Sequence, residues 1–166
     1  MLIEALIYPI SGFLMKISDD AWDMHRNYDV SIIAGIICGI LLGILVTVSS
    51  DAAQIFFGIF LGTLLAGKVD SPPHFFTAII FLLVVFILGM PSLSIFMLIC
   101  ALAAYMDEIW HENSVYFKNI LIKKLFEYRC VLKIVVGILA FINVFQLETF
   151  FYFLLFEISY EIAKFI

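Results

Sequence analysis

Apolar residues in this chain run in long blocks separated by short polar turns. With that punctuation the blocks cover residues 1–17, 30–49, 53–67, 75–88, 93–106, 131–143 and 149–166. A helix needs about 20 apolar residues to cross the ~30 Å hydrocarbon core of a bilayer. The pattern therefore predicts an all-α, polytopic membrane bundle of about seven apolar segments, one transmembrane domain over residues 1–166. The first block is short and contains Pro9, which predicts a short or tilted span. Residues 19–29 read as a polar loop and Ser50-Asp51 as a tight turn. Gly89-Met90-Pro91 breaks the helical pattern between the fourth and fifth blocks.

Residues 114–129 follow another rule. Tyr116, Ile120, Leu121, Leu125 and Tyr128 share one helical face, and Lys118, Lys123 and Lys124 fall elsewhere. That is the pattern of a helix lying in the membrane interface with its lysines towards the headgroups.

Two blocks carry small residues four apart: Gly35, Gly39 and Gly43 in one, Gly58, Gly62 and Ala66 in the next. Such stripes let helix backbones approach closely in lipid, where no hydrophobic drive holds helices together. The tight turn between these blocks predicts that they pack on each other as one antiparallel hairpin. The alternative is a face that pairs two copies of the chain in a homo-oligomer.

Composition narrows the class. The chain is 64% hydrophobic and only 14% charged, with a mean hydropathy of +1.15, more apolar surface than a soluble domain of this length can hide. The formal charge of −5 argues against a nucleic-acid partner. Cys38, Cys100 and Cys130 are scattered, form no Cys-x-x-Cys pair, and read as packing residues. The opening residues lack the basic start and small-residue cleavage site of a secretory signal.

Charge also sets an orientation. If the seven segments alternate sides, Lys16, Arg26, Lys68, Lys118, Lys123, Lys124, Arg129, Lys133 and Lys164 fall at one side. These are all nine basic residues, and the turns around Asp51, Pro91 and Gln146 carry none. The positive-inside rule places the basic side in the cytoplasm, with the amino terminus outside and the carboxyl terminus inside. His25, His74 and His111 fall on that same side.

So do two acidic knots, Ser18-Asp19-Asp20-Ala21-Trp22-Asp23 and Met106-Asp107-Glu108-Ile109-Trp110-His111-Glu112. Each has its tryptophan at the same place, which suggests a duplication of two weakly similar halves, residues 1–74 and 89–166. On a helix Asp19, Asp20 and Asp23 are neighbours, as are Asp107, Glu108, His111 and Glu112. Crowded carboxylates repel unless metal, protons or basic residues neutralise them. These seven residues are the predicted metal ligands. Oxygen ligands favour Mg²⁺, and the added imidazole also suits Mn²⁺, Zn²⁺ or Fe²⁺. Lys68 and Asp70 are the predicted catalytic pair, Lys68 also holding an anionic head with Arg26 and Asn27. Glu157 lies inside the last block, where a carboxylate is paired or protonated, with Lys133 or Lys164 as its partner.

Two spaced Asp-rich motifs at the cytoplasmic ends of membrane helices resemble those of the UbiA-type intramembrane prenyltransferases. The resemblance covers about a dozen residues and implies that the motifs hold Mg²⁺ and a prenyl diphosphate. The chain departs from that family in being far shorter and in carrying His111 in its second motif. No nucleophile elbow, phosphate-cradling glycine loop or dinucleotide fingerprint is present.

The reading that follows is a divalent-metal-dependent membrane transferase or hydrolase of lipid metabolism. It would act at the cytoplasmic interface on the phosphate or diphosphate head of a lipid or polyprenyl substrate. The rivals are an ion- or proton-coupled transporter or channel, and a non-catalytic membrane assembly subunit.

Overall fold

The computed structural model describes residues 2–116 and 119–165, and these are all-helical. In chain order the helices are α1 (Leu2–Asp23), α2 (Tyr28–Val48), α3 (Ser50–Leu65), α4 (Pro72–Leu88), α5 (Ile95–Glu112), α6 (Ile120–Glu127), α7 (Cys130–Phe141) and α8 (Leu147–Ala163). A 3₁₀ turn, Ser114–Tyr116, follows α5. Polar side chains start several of them. Asn27, Ser49, Ser94 and Asn119 each accept a backbone N–H from the first turn of the helix they precede. Pro72 and Pro73 open α4, where a missing N–H costs nothing.

The predicted blocks are recovered with two corrections. The polar loop over 19–29 is mostly helix, because α1 runs on through the first knot to Asp23 and turns only at 24–27, with Arg26 left-handed at φ 50°. The amphipathic segment is not one helix over 114–129. A 3₁₀ turn and the eight-residue α6 divide it, and Lys118 lies outside the described residues. α6 buries none of its residues and exposes Ile120, Leu121, Leu125 and Tyr128.

The glycine stripes do not pack on each other. Only Ser49 separates α2 from α3, which fixes their rotation and points one stripe at α4 and the other at α5. A Cβ on Gly39 would lie 2.6 Å from the Thr77 carbonyl oxygen, and one on Gly43 2.7 Å from the Val84 side chain. A Cβ on Gly58 would meet Cys100 at 2.5 Å, and one on Gly62 the Ala101 carbonyl oxygen at 2.5 Å. One hairpin is thus laid on the other in register, α2 along α4 and α3 along α5, with like directions together.

The first and last helices make a third parallel pair. Tyr8 meets Tyr152 at 6.0 Å between ring centroids, Gly12 lies against the Phe156 carbonyl, and the Lys16 ammonium sits 5.5 Å from the Tyr160 ring centre. Each step is four residues, so the register is continuous along both helices. α1 also clasps α2 antiparallel. The Ser18 hydroxyl donates to the Ser31 carbonyl at 2.8 Å, and the Ser31 hydroxyl returns a bond to the Ser18 carbonyl at 2.7 Å.

Among the described residues α2 alone is long and apolar enough by itself to cross a membrane; α3, α4 and α7 are apolar but shorter. The packed interior nevertheless carries polar groups: Ser11, Ser18, Ser31, Gln54, Asp107, Glu108 and Thr149 are buried. The outside carries large apolar ones, with Phe86 87% and Phe141 85% exposed.

Gly12→Leu and Gly39→Leu are expected to destabilise the fold by about 1–3 kcal/mol or more, since each side chain meets backbone that does not yield. Gly137→Ala is the control, because its Cβ would touch only the Phe150 ring, 3.2 Å away and able to turn. Thermal melting in detergent measures all three, and unchanged melting of the two leucine variants contradicts the register described above.

Candidate functional site

Both knots lie at one end of the bundle, and Tyr160 and Arg129 join them. Asp19, half-buried on α1 where α4 and α8 approach it, uses both carboxylate oxygens. Oδ1 is 2.7 Å from His74 Nε2, and Oδ2 accepts the Tyr160 hydroxyl at 3.1 Å. Tyr160 also lies within electrostatic reach of the Arg129 guanidinium, whose Nη2 is 3.1 Å from Glu108 Oε2 in the second knot. α1, α4, α5 and α8, with the residue that starts α7, thus share one chain of ionisable groups.

Local structure explains how Arg129 reaches inward. It precedes α7 with φ 47°, a left-handed conformation costly for a side chain with a Cβ, and its carbonyl accepts the Lys133 ammonium at 3.2 Å. Lys133 continues to Glu157 at 2.7 Å, so of the two predicted partners of Glu157 it is Lys133 that pairs. Lys164 pairs with Glu161 instead. Lys16 and Lys164 stand over the Tyr160 ring at 5.5 and 5.6 Å from its centre.

Asp107 does different work. Its two oxygens accept the Val131 and Leu132 N–H groups at 2.9 and 2.8 Å, so it caps α7 from a neighbouring helix. Asp20 pairs with Lys16 at 2.7 Å, and Glu112 with Lys68. His111 Nδ1 is 3.1 Å from the Glu127 carbonyl on the surface. Asp23 and Arg26 are exposed, and Asn27 is the cap of α2. Asp70 is mostly exposed and stands 3.9 Å from His74 Nδ1. Lys68 and Asp70 therefore occupy one loop without facing a common point.

Six of the seven predicted metal ligands, Asp19, Asp20, Asp107, Glu108, His111 and Glu112, thus have partners within the chain. Among the described residues no group of three or more histidine, cysteine, aspartate or glutamate side chains converges as a metal site would require. Neutralisation by basic residues of the same chain, one of the three ways to relieve crowded carboxylates, accounts for the geometry.

His74, Tyr160, Arg129, Lys133 and Lys16 complete the site; the sequence placed His74 among the candidates on this side and did not single out the others as site residues. Tyr160 had a signal: it lies three residues after Glu157, on the same helical face. Trp22 rests on Tyr28, the first residue of α2, at 4.8 Å, and Trp110 on Phe126 of α6 at 4.5 Å.

Compared with known proteins, the chain matches no family model, no curated protein and no solved structure. The likeness to the UbiA-type enzymes rests on the two short motifs alone. Fold and site define an all-helical bundle with a half-buried ionisable network at one end.

His74 opens α4 just ahead of its apolar stretch. Its hydrogen bond to Asp19 holds the imidazole pKa above the ordinary histidine value, against the opposing effect of burial. At Arg129 burial disfavours the charge, but Glu108, Tyr160 and Asp19 together more than offset it and keep the guanidinium strongly basic. A group whose folded pKa is raised stabilises the fold fully below its unfolded value, about 6.5 for histidine. That contribution disappears as pH rises through the folded value. Thermal melting is therefore expected to fall as pH rises above ~6.5, and His74→Gln should flatten this slope. A wild-type melting temperature that climbs through that window contradicts the His74–Asp19 ion pair.

Proposed function

We propose that this chain is a multi-pass membrane protein that transports protons, alone or coupled to a second ion, through a site at its cytoplasmic end. One observation carries this reading: an ionisable network of Asp19, His74, Tyr160, Arg129 and Glu108, half-buried except for the buried Glu108, lies among helices whose outer faces are apolar. Ionisable groups within a membrane bundle are costly, face its interior, and mark ion and proton paths. Protonating Asp19 or deprotonating His74 would release the pair and leave Tyr160 and Arg129 to exchange partners. Such a switch binds a proton in one arrangement and gives it up in the other.

The membrane placement rests on the outer surface. α4 buries only Pro73, Phe81 and Val85 and turns Phe75, Phe76, Ile79, Leu82, Leu83, Phe86 and Ile87 outward. A patch of that kind marks a membrane or partner surface. Helices shorter than the usual span are accommodated by local thinning of the bilayer or by snorkelling of flanking residues. The basic residues assign the network end to the cytoplasm, with the amino terminus outside. The paired aromatic contacts of Trp22 and Trp110 fit a duplication of two halves.

This reading takes precedence over the metal-dependent lipid-phosphate enzyme for a geometric reason. That enzyme needs carboxylates converging on a cation, and these carboxylates are directed at lysine, arginine, histidine and backbone N–H groups.

The test is flux in proteoliposomes with a trapped pH dye, driven by an imposed pH gradient under a potassium–valinomycin clamp. Wild type is expected to carry protons. Asp19→Asn and His74→Gln should lose flux yet remain folded, because the apolar faces hold the bundle together. Absence of flux in wild type overturns the proposal.

Orientation has its own measurement. Cys38 and Cys100 are buried, so only Cys130 needs replacing by serine to give a silent background. A cysteine at Met90, which is exposed, should react with an impermeant maleimide from outside the cell, and one at the exposed Tyr116 should not. The reverse pattern inverts the topology.

A further inference from the structure

α1 carries a second set of polar groups that the charged network does not use. Tyr8 and Ser11 are fully buried, and neither the Tyr8 hydroxyl nor the Ser11 Oγ has a hydrogen-bond partner. Burying a hydroxyl without a bond is destabilising, and deleting the oxygen by Phe or Ala would remove that cost without changing shape. The two hydroxyls are three residues apart, on one face of α1. The Cys38 thiol reaches the same place from α2 and donates to the Ser11 carbonyl at 3.4 Å. Ser18, seven residues on, continues the face and is locked to Ser31 beside Asp19.

Polar groups also close both ends of this row. At one end the charges of Asp51 and Glu4 act on the Tyr8 hydroxyl. Asp51 lines a polar pocket of about 160 Å³ with Gln54, Ser92 and Ser94, at the end opposite the network. At the other end the charge of Asp19 acts on the Cys38 thiol. The remaining surroundings of Tyr8 are aromatic: Phe56 at 5.4 Å and Tyr152 at 6.0 Å between ring centres. An apolar jacket with a polar thread is the arrangement that confines a proton to one path.

We infer that the hydroxyls of Tyr8 and Ser11, with the Cys38 thiol, form the line along which protons pass between the Asp51 pocket and Asp19. This rests on the proposed transport function and names its route. Each hydroxyl accepts a proton on a lone pair and releases its own on the far side, and water molecules bridge the intervals. Every O–H bond formed is matched by one broken. No group is left charged, and each proton taken from water at one end is balanced by one released to water at the other.

The experiment uses the full chain in the same vesicles, with Tyr8→Phe and Ser11→Ala. Each variant removes a single oxygen from a buried, unbonded group, so thermal melting should hold or rise. Proton flux in each is expected to drop to the rate of protein-free vesicles. Flux that depends on Asp19 yet survives either substitution overturns the route while leaving the transport function standing. Wild type without flux overturns both. A variant that loses flux and also melts earlier than wild type counts against the route, because a structural role then explains the loss.

Discussion

Backbone contact at a few small residues governs this structure. Gly12 lies directly against the Phe156 carbonyl, and Gly39 and Gly58 lie equally close to α4 and α5. Small residues at such contacts let helix backbones approach closely and pack by van der Waals contact. The Gly12 contact sets more than spacing. It fixes α8 along α1 in steps of four, and the next step beyond Phe156 is Tyr160, which reaches Asp19. The chemistry at the end of the bundle is thus set by a glycine about two turns away.

The ion pairs themselves are weak evidence for stability. Desolvating two charges offsets most of their attraction, and apolar replacements of similar shape often stabilise a fold. Asp19 and Glu108 are retained within a bundle whose other contacts suffice to hold it. Their value is better sought in specificity and function. Arg129 supports this view, since it accepts a left-handed backbone to deliver its guanidinium between Tyr160 and Glu108.

Much of the fold was legible as block lengths. Long apolar runs marked each long helix, and Asn27, Ser94 and the Pro72-Pro73 pair lay at their starts. The knots were found because clustered acids at a block end are conspicuous. What filled the space between them was not legible. Tyr160 lies far along the chain from Asp19, and its role depends on the register of α1 and α8, which no local pattern encodes. The glycine stripes were recognised but assigned to each other. Sequence spacing identifies a flat helical face, whereas the rotation imposed by the one-residue turn at Ser49 decides where that face points. The acids invited a metal for a similar reason. Their neutralising cations come from distant segments, and only tertiary contact shows that Arg129, Lys68 and His74 arrive there.

The pairing of α1 with α8 has a consequence for biosynthesis. α1 emerges from the ribosome first, and its partner emerges last. Until then Gly12 has no carbonyl against it, Tyr8 lacks the ring of Tyr152, and Asp19 lacks Tyr160. In the interval α1 is held by α2 through Ser18 and Ser31, by Phe56 of α3 against Tyr8, and by His74 of α4 at Asp19. The Asp19 carboxylate thus has one of its two side-chain partners before α8 is made. Closure of the bundle by α8 is a late event, and interrupted synthesis would leave an unclosed chain open to proteolysis rather than a smaller working protein.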